Sequence, residues 1–225
     1  MEKYDDIRDE KGARPTLVIC PECNQPGFLD AWPWILSSRD EHATQLLLDG
    51  ELFKYRCPVC DTTTTIAYDC LYHDVDHRAM IMFSSKRFPE SECIQTLDKL
   101  ADLAQQGSRI STPAYQRRIT FNPFEFYEKA RILNHNYDDR VIELMKVALK
   151  RGMLEKGIIG KHDTLIYERT MDDCGISFIV VGEIPGDVVG VRKGYDFLEK
   201  HLRESSKRLD GEYCFDNAWA NRFLP

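Results

Sequence analysis

Cys20-Pro21-Glu22-Cys23 and Cys57-Pro58-Val59-Cys60 are two copies of one short motif, C-P-x-C. A two-residue spacer lets both sulfurs of a pair face a single point from one tight loop. Proline after the first cysteine fixes φ and stiffens that loop. Four thiolates form a soft donor set suited to a tetrahedral ion, Zn²⁺ or iron. Such knuckles usually carry glycine after the second cysteine, where the backbone turns left-handed. Here those positions are Asn24 and Asp61, the non-glycine types that enter this region most readily. Cys20, Cys23, Cys57 and Cys60 are therefore the expected metal ligands.

A second cluster is His73, Asp74, Asp76 and His77. Two histidines and two carboxylates within five residues can bind a further metal or carry out acid–base chemistry. On a strand His73 and His77 would share a face, whereas a tight turn between them would scatter all four side chains. Aspartate and histidine are ordinary at hairpin tips, so the expected placement is a solvated turn and the cluster is the lesser candidate. No catalytic residue is assigned, because the sequence has no Ser/His/Asp signature, P-loop or G-x-G-x-x-G.

The elements that must position these residues follow from patterning. Residues 16–19 are a β-prone run leading into the first knuckle. Residues 27–36 are aromatic and apolar and read as one returning strand, with Pro33 favouring an edge or bulge. Residues 40–49 read as a helix with Ala43, Leu46 and Leu47 on one side and Gly50 as its stop. Residues 52–56 alternate into the second knuckle, and residues 62–72 read as one strand rich in Thr, Ile and Tyr. Residues 73–77 are the expected turn and 79–83 the return, giving a small antiparallel sheet capped by the metal.

Residues 89–106 are a helix with Cys93, Ile94, Leu97, Leu100, Ala101 and Ala104 on one face and Gly107 at its end. Residues 107–118 read as a polar connection. Asn122-Pro123-Phe124-Glu125 is a helix start, with Asn as N-cap and Pro at the first helical position. That helix carries Phe124, Tyr127, Ala130 and Leu133. Asp138 opens the next, with Gly152 past its end, and the short link between them predicts a helical hairpin over 122–151. Residues 165–169 and 176–181 form a β-hairpin around 172–175, Pro185-Gly186-Asp187 turns into a strand at 188–191, and 195–203 is helical. The last stretch reads as irregular, tied to the body by Tyr213, Phe215, Trp219 and Phe223.

Composition narrows the function classes. The 225 residues contain no apolar run of transmembrane length and open with an acidic, polar segment, so a secretory leader is not expected. A cytoplasmic, reducing location is expected, where paired cysteines mean metal or redox work. Cys70, Cys93, Cys174 and Cys214 stand singly and read as small buried hydrophobes. Residues 1–120 carry 14 Lys+Arg against 19 Asp+Glu, and residues 121–225 carry 16 against 18. Nucleic-acid binders show a basic face, but the basic clusters here are only Lys86-Arg87, Arg117-Arg118 and Lys207-Arg208. Nucleic acid and membrane are therefore not expected partners; a protein partner is.

The chain resembles the CpXC domain family over about residues 16–150. Besides the two C-P-x-C motifs, the resemblance rests on three segments. These are Leu48-Asp49-Gly50-Glu51-Leu52-Phe53, Leu71-Tyr72-His73-Asp74, and Asp138-Asp139-Arg140-Val141-Ile142-Glu143-Leu144-Met145-Lys146. It implies a zinc-ribbon-like metal domain and no established activity. The knuckles are also similar to those of rubredoxin, which holds one iron, so zinc and iron both stay open.

The expected fold is α+β. A flexible acidic tail (1–14) precedes a zinc-ribbon-like antiparallel β domain with an inserted helix (15–107). An α+β region follows (108–225), a helical hairpin and then a small βββα unit. The expected function is a non-catalytic interaction or regulatory module around a structural Cys₄ zinc. A metal-dependent enzyme using His73, Asp74, Asp76 and His77, or a nucleic-acid-binding zinc ribbon, are the alternatives.

Overall fold

The structure, a computed structural model, describes residues 12–85, 89–106, 114–171, 175–183, 185–205 and 212–224. Six helices and eleven strands form a mixed α+β chain among them. The chain divides into two compact units, Met1–Ala130 and Arg131–Pro225. No helix among the described residues is long and apolar enough to cross a membrane. The tail as far as Lys11, the pairs Lys86-Arg87 and Lys207-Arg208, Gly107 with the link at 107–113, and the hairpin turn at 172–174 with Cys174 lie outside the described residues.

In the first unit each C-P-x-C motif joins the strands of a two-stranded antiparallel ribbon. β1 (Arg14–Ile19) pairs with β2 (Pro26–Ala31), Val18 opposite Gly27 and Ile19 opposite Pro26. β4 (Lys54–Arg56) pairs with β5 (Thr63–Thr65), Arg56 opposite Thr63. Between the ribbons lie β3 (Trp34–Leu36) and helix α1 (Glu41–Asp49). The helix stops at Gly50, φ 75°, a left-handed position that glycine takes without a Cβ clash.

A four-stranded sheet has the order β3-β6-β7-β8, using β6 (Cys70–Asp74), β7 (Ala79–Phe83) and β8 (Gln116–Thr120). β6 and β7 are antiparallel, while β3–β6 and β7–β8 are parallel. Parallel neighbours need a long crossover, and α2 (Glu90–Gln106) supplies it from β7 to β8. It packs on both strands and buries Cys93, Leu97, Leu100 and Ala101. Both inner strands are buried at every position. Phe53 is fully buried within a ring of aromatics: Tyr68 at 4.8 Å, Phe83 at 5.1 Å, Tyr127 at 5.5 Å and Phe126 at 6.0 Å between centroids. Phe126 and Tyr127 come from α3 (Pro123–Asn134), whose first turn is capped by Asn122 accepting the Phe124 N–H at 2.9 Å.

The second unit is built on α4 (Asp139–Glu155), capped by Asp138 accepting the Arg140 N–H at 2.9 Å. An antiparallel meander of β9 (Thr164–Met171), β10 (Gly175–Val181) and β11 (Gly186–Val191) follows, then α5 (Arg192–Glu204) and α6 (Asn217–Phe223). α4 packs against β9, α5 and α6 around a core that includes Val141, Leu144, Tyr167, Phe178 and Trp219. Tyr213, Phe215, Trp219 and Phe223 are all buried, so the terminal aromatics do tie this stretch down.

Several sequence expectations are corrected. Residues 27–36 form two strands in different sheets. Pro33 has no N–H to continue a ladder, and its carbonyl instead accepts the Leu71 N–H at 2.9 Å. Residues 62–72 likewise split into β5 and β6. The small antiparallel sheet expected in the first half is three sheets, one of them with two parallel pairings. Gln116–Thr120, which overlaps the end of the expected polar connection at 107–118, is an edge strand, Phe124 is 62% exposed while Phe126 takes the core position, and Gly152 lies inside α4. Gly186 and Asp187 belong to β11 instead of a turn, and the irregular C-terminal stretch contains a helix opened by Asp216, which accepts the Trp219 N–H at 2.7 Å.

The aromatic ring predicts a contrast between two phenylalanines. Phe53→Ala is expected to cost about 3–5 kcal/mol of unfolding free energy, as large-to-small core changes do. Phe124→Ala, at the exposed helix start, should stay within about 0.5 kcal/mol. Urea denaturation of both variants checks this, and equal losses would contradict the packing described.

Candidate metal centre

The two knuckles have the same backbone. In the first, the Cys20 N–H donates to the Gln25 carbonyl and the Asn24 N–H to the Cys20 carbonyl, both at 3.0 Å. In the second, the Cys57 N–H donates to the Thr62 carbonyl at 2.9 Å and the Asp61 N–H to the Cys57 carbonyl at 3.0 Å. Asn24 has φ 56° and Asp61 φ 62°, the left-handed corner expected at both. Arg56 grips the Asp61 carboxylate with two bonds of 2.5 and 2.7 Å across the second knuckle. Both side chains of this pair are exposed, so it orders the corner more than it stabilises the unit.

The consequence is convergence of all four sulfurs, which lie within 4.8 Å of one another. The Cys20–Cys60 separation is 3.7 Å and the Cys23–Cys57 separation 3.6 Å, so sulfurs of one knuckle meet those of the other. An ion with metal–sulfur bonds of about 2.3 Å spaces tetrahedral ligands about 3.8 Å apart. The set fits such an ion, and all four are free thiols. Cys20 and Cys57 are buried, Cys23 is half-buried and Cys60 is exposed. Val18, Leu29 and Tyr55 pack beside Cys20 and Cys57 in a small apolar cluster.

Electrostatics divides the four. Backbone N–H groups of Cys60 and Val59 point at the Cys57 sulfur and hold its thiol down at about 6. Hydrogen bonds from the side chain and backbone of Thr62 also lower Cys60. For Cys23 the Gln25 amide favours the thiolate, but burial and the neighbouring thiols outweigh it and push the pKa up to about 12. Four sulfurs this close cannot all ionise against one another's charge. A divalent cation removes that opposition, and metal binding at such a site is proton release.

The His/Asp cluster is not brought together as one site. β6 runs through Asp74, so His73 and Asp74 are buried on an inner strand and not on the exposed turn expected for them. The His73 ring nitrogen Nε2 meets the Tyr115 hydroxyl at 3.1 Å. Asp74 accepts the His77 backbone N–H at 3.1 Å and contacts the His77 ring Nδ1 at 2.8 Å, while the Tyr72 hydroxyl donates to it at 3.3 Å. Asp76 is exposed and His77 half-buried. Among the described residues, the four cysteines are the group of three or more such side chains able to hold a metal ion. Tyr55, Thr62 and Arg56 escaped the sequence reading; their one signal is position, two residues or fewer from a knuckle cysteine or its corner.

Residues 18–146 match the family model described as CpXC protein. That span is more than half of the chain, and the chain belongs to the CpXC family. No curated protein and no solved structure matches it.

Burial, partly opposed by the Asp74 charge, lowers the His73 pKa below its ordinary value. Such a histidine is held neutral in the folded state, and the unfolded chain takes up its proton first. Its contribution is full above the unfolded pKa of about 6.5 and is lost as pH falls through the lower folded value. The unfolding free energy should therefore drop between about pH 7.5 and pH 5, and His73→Gln should drop less over the same range. Denaturant titrations of both proteins at the two pH values measure the difference; an identical drop would remove His73 as a cause.

Proposed function

We propose that this CpXC protein is a non-catalytic interaction or regulatory module built around one structural zinc ion held by Cys20, Cys23, Cys57 and Cys60. The observation that carries this reading is the spacing of the four sulfurs, near a tetrahedral edge and drawn from both ribbons. Four protein ligands leave no open coordination position, and closed Cys₄ sites are structural. The two knuckle-tipped ribbons support a zinc-ribbon-like arrangement. Zinc is favoured over iron because the segment between the knuckles is a folded part of the unit, with a helix and strands of its own. That organisation suits scaffolding better than electron transfer.

The partner we infer is another protein, and the location the cytoplasm, where thiols stay reduced. A net charge of −7 argues against a polyanion. No catalytic role is proposed for His73, Asp74, Asp76 or His77.

Elemental analysis of protein purified without added metal should give close to one zinc per chain. Structural zinc supplies roughly 10–16 kcal/mol of apparent binding free energy in small zinc-finger peptides, comparable to a whole domain's stability. Cys57→Ser should therefore lose most of the metal and the cooperative unfolding of the first unit. One equivalent of iron would replace the zinc assignment. Metal-free protein with all four thiols reduced would overturn the reading.

A further inference from the structure

Tyr55 is the middle residue of β4, and along residues 53–57 buried Phe53, Tyr55 and Cys57 alternate with exposed Lys54 and Arg56. Its side chain packs with Cys20 and Cys57 and is 2% exposed. The hydroxyl is buried and makes no hydrogen bond of good geometry in the structure. Leaving such a group unpaired costs about 1–3 kcal/mol, so phenylalanine would be the better residue if filling space were the whole role.

The hydroxyl's surroundings give it a use. The Cys20 and Cys57 side chains pack beside it, and of the knuckle sulfurs Cys57 influences the hydroxyl most. On its other side lies the backbone of Gly27, in β2 of the opposite ribbon: a Cβ there would fall 2.1 Å from the Tyr55 oxygen. The ring therefore bridges from the second ribbon to the first, and a residue without a Cβ is what allows that approach. A neutral thiol accepts hydrogen bonds weakly, whereas a metal-bound thiolate is charged and accepts them well.

We propose that Tyr55 is a positioning residue for the metal, its hydroxyl donating to the Cys57 thiolate once an ion is bound. The inference rests on the four-cysteine reading above. In the loaded protein the hydroxyl pairs with a charged sulfur held in place by the ion. It adds a donor from outside the knuckle to the Cys60 and Val59 amides, and Gly27 fixes where the oxygen sits. Groups behind a ligand commonly set metal affinity by tenfold or more.

Cobalt(II) is the probe, because its sulfur-to-metal charge-transfer band reports electron density on the ligand sulfurs. Wild type and Tyr55→Phe should each take up one equivalent. In Tyr55→Phe the band should move to lower energy, since the sulfur no longer shares its density with a proton, and zinc affinity by competition should fall about tenfold. Gly27→Ala keeps the hydroxyl but displaces it, and should shift the band the same way. It carries the test alone if Tyr55→Phe does not fold. An unmoved band and unchanged affinity overturn the role of Tyr55 while leaving the Cys₄ site intact. Wild type that binds no cobalt through thiolates overturns the Cys₄ site itself, and this proposal with it.

Discussion

Four thiol sulfurs held within one small tetrahedron are the constraint on which the first unit depends. Two of them arrive on the ribbon β1–β2 and two on β4–β5, and pairs 3.6 and 3.7 Å apart cross from ribbon to ribbon. Thiolates at this range repel, and the protein only partly offsets that repulsion with backbone amides aimed at Cys57 and donors to Cys60. What brings the ribbons together must also account for residues 24–56, which leave the first knuckle and return at the second. That segment is not slack. It contributes β3 to the four-stranded sheet and α1 to the buried surface, so its closure entropy is met in part by ordinary folding.

Packing extends outward from the knuckles without a break. Through β4 and the residues flanking it the buried side chains run Cys57, Tyr55, Phe53, and the last of these is the centre of the aromatic ring. Tyr68 belongs to both regions. It packs beside the knuckle cluster, meets Phe53 edge-on at 4.8 Å, accepts the Trp32 N–H at 3.0 Å and donates to the Leu52 carbonyl at 3.3 Å. Tyr127 adds a further tie, its hydroxyl accepting the Phe53 N–H at 3.0 Å. A disturbance at the sulfurs therefore reaches the sheet through a few aromatic contacts. This is the physical sense in which a metal held here would act as part of the core.

Local chemistry was legible in the sequence wherever it decided the outcome. Asn24 and Asp61 take the left-handed corners because a C-P-x-C knuckle demands one, Gly50 stops α1, and Asn122 and Asp138 cap the helices they precede. Long-range pairing was not legible. β3 and β8 join the sheet through parallel neighbours distant in the chain, and a run such as Gln116-Arg117-Arg118-Ile119-Thr120 gives little periodic signal for an edge strand. The burial of His73 follows from the same cause, since only the topology makes β6 an inner strand. Tyr55 was invisible for a related reason: its significance depends on Gly27, on the opposite ribbon and far away in sequence. The helix at Asn217–Phe223, in contrast, carried a readable cap in Asp216 that the aromatic residues around it obscured.

The coordination shell itself offers the most direct test of the account. X-ray absorption at the metal edge of the purified protein should fit a single shell of four sulfur scatterers at about 2.3 Å, measured at the zinc edge. A mixed shell with nitrogen or oxygen from a histidine or carboxylate, or fewer than four sulfurs, would contradict a closed site made by Cys20, Cys23, Cys57 and Cys60.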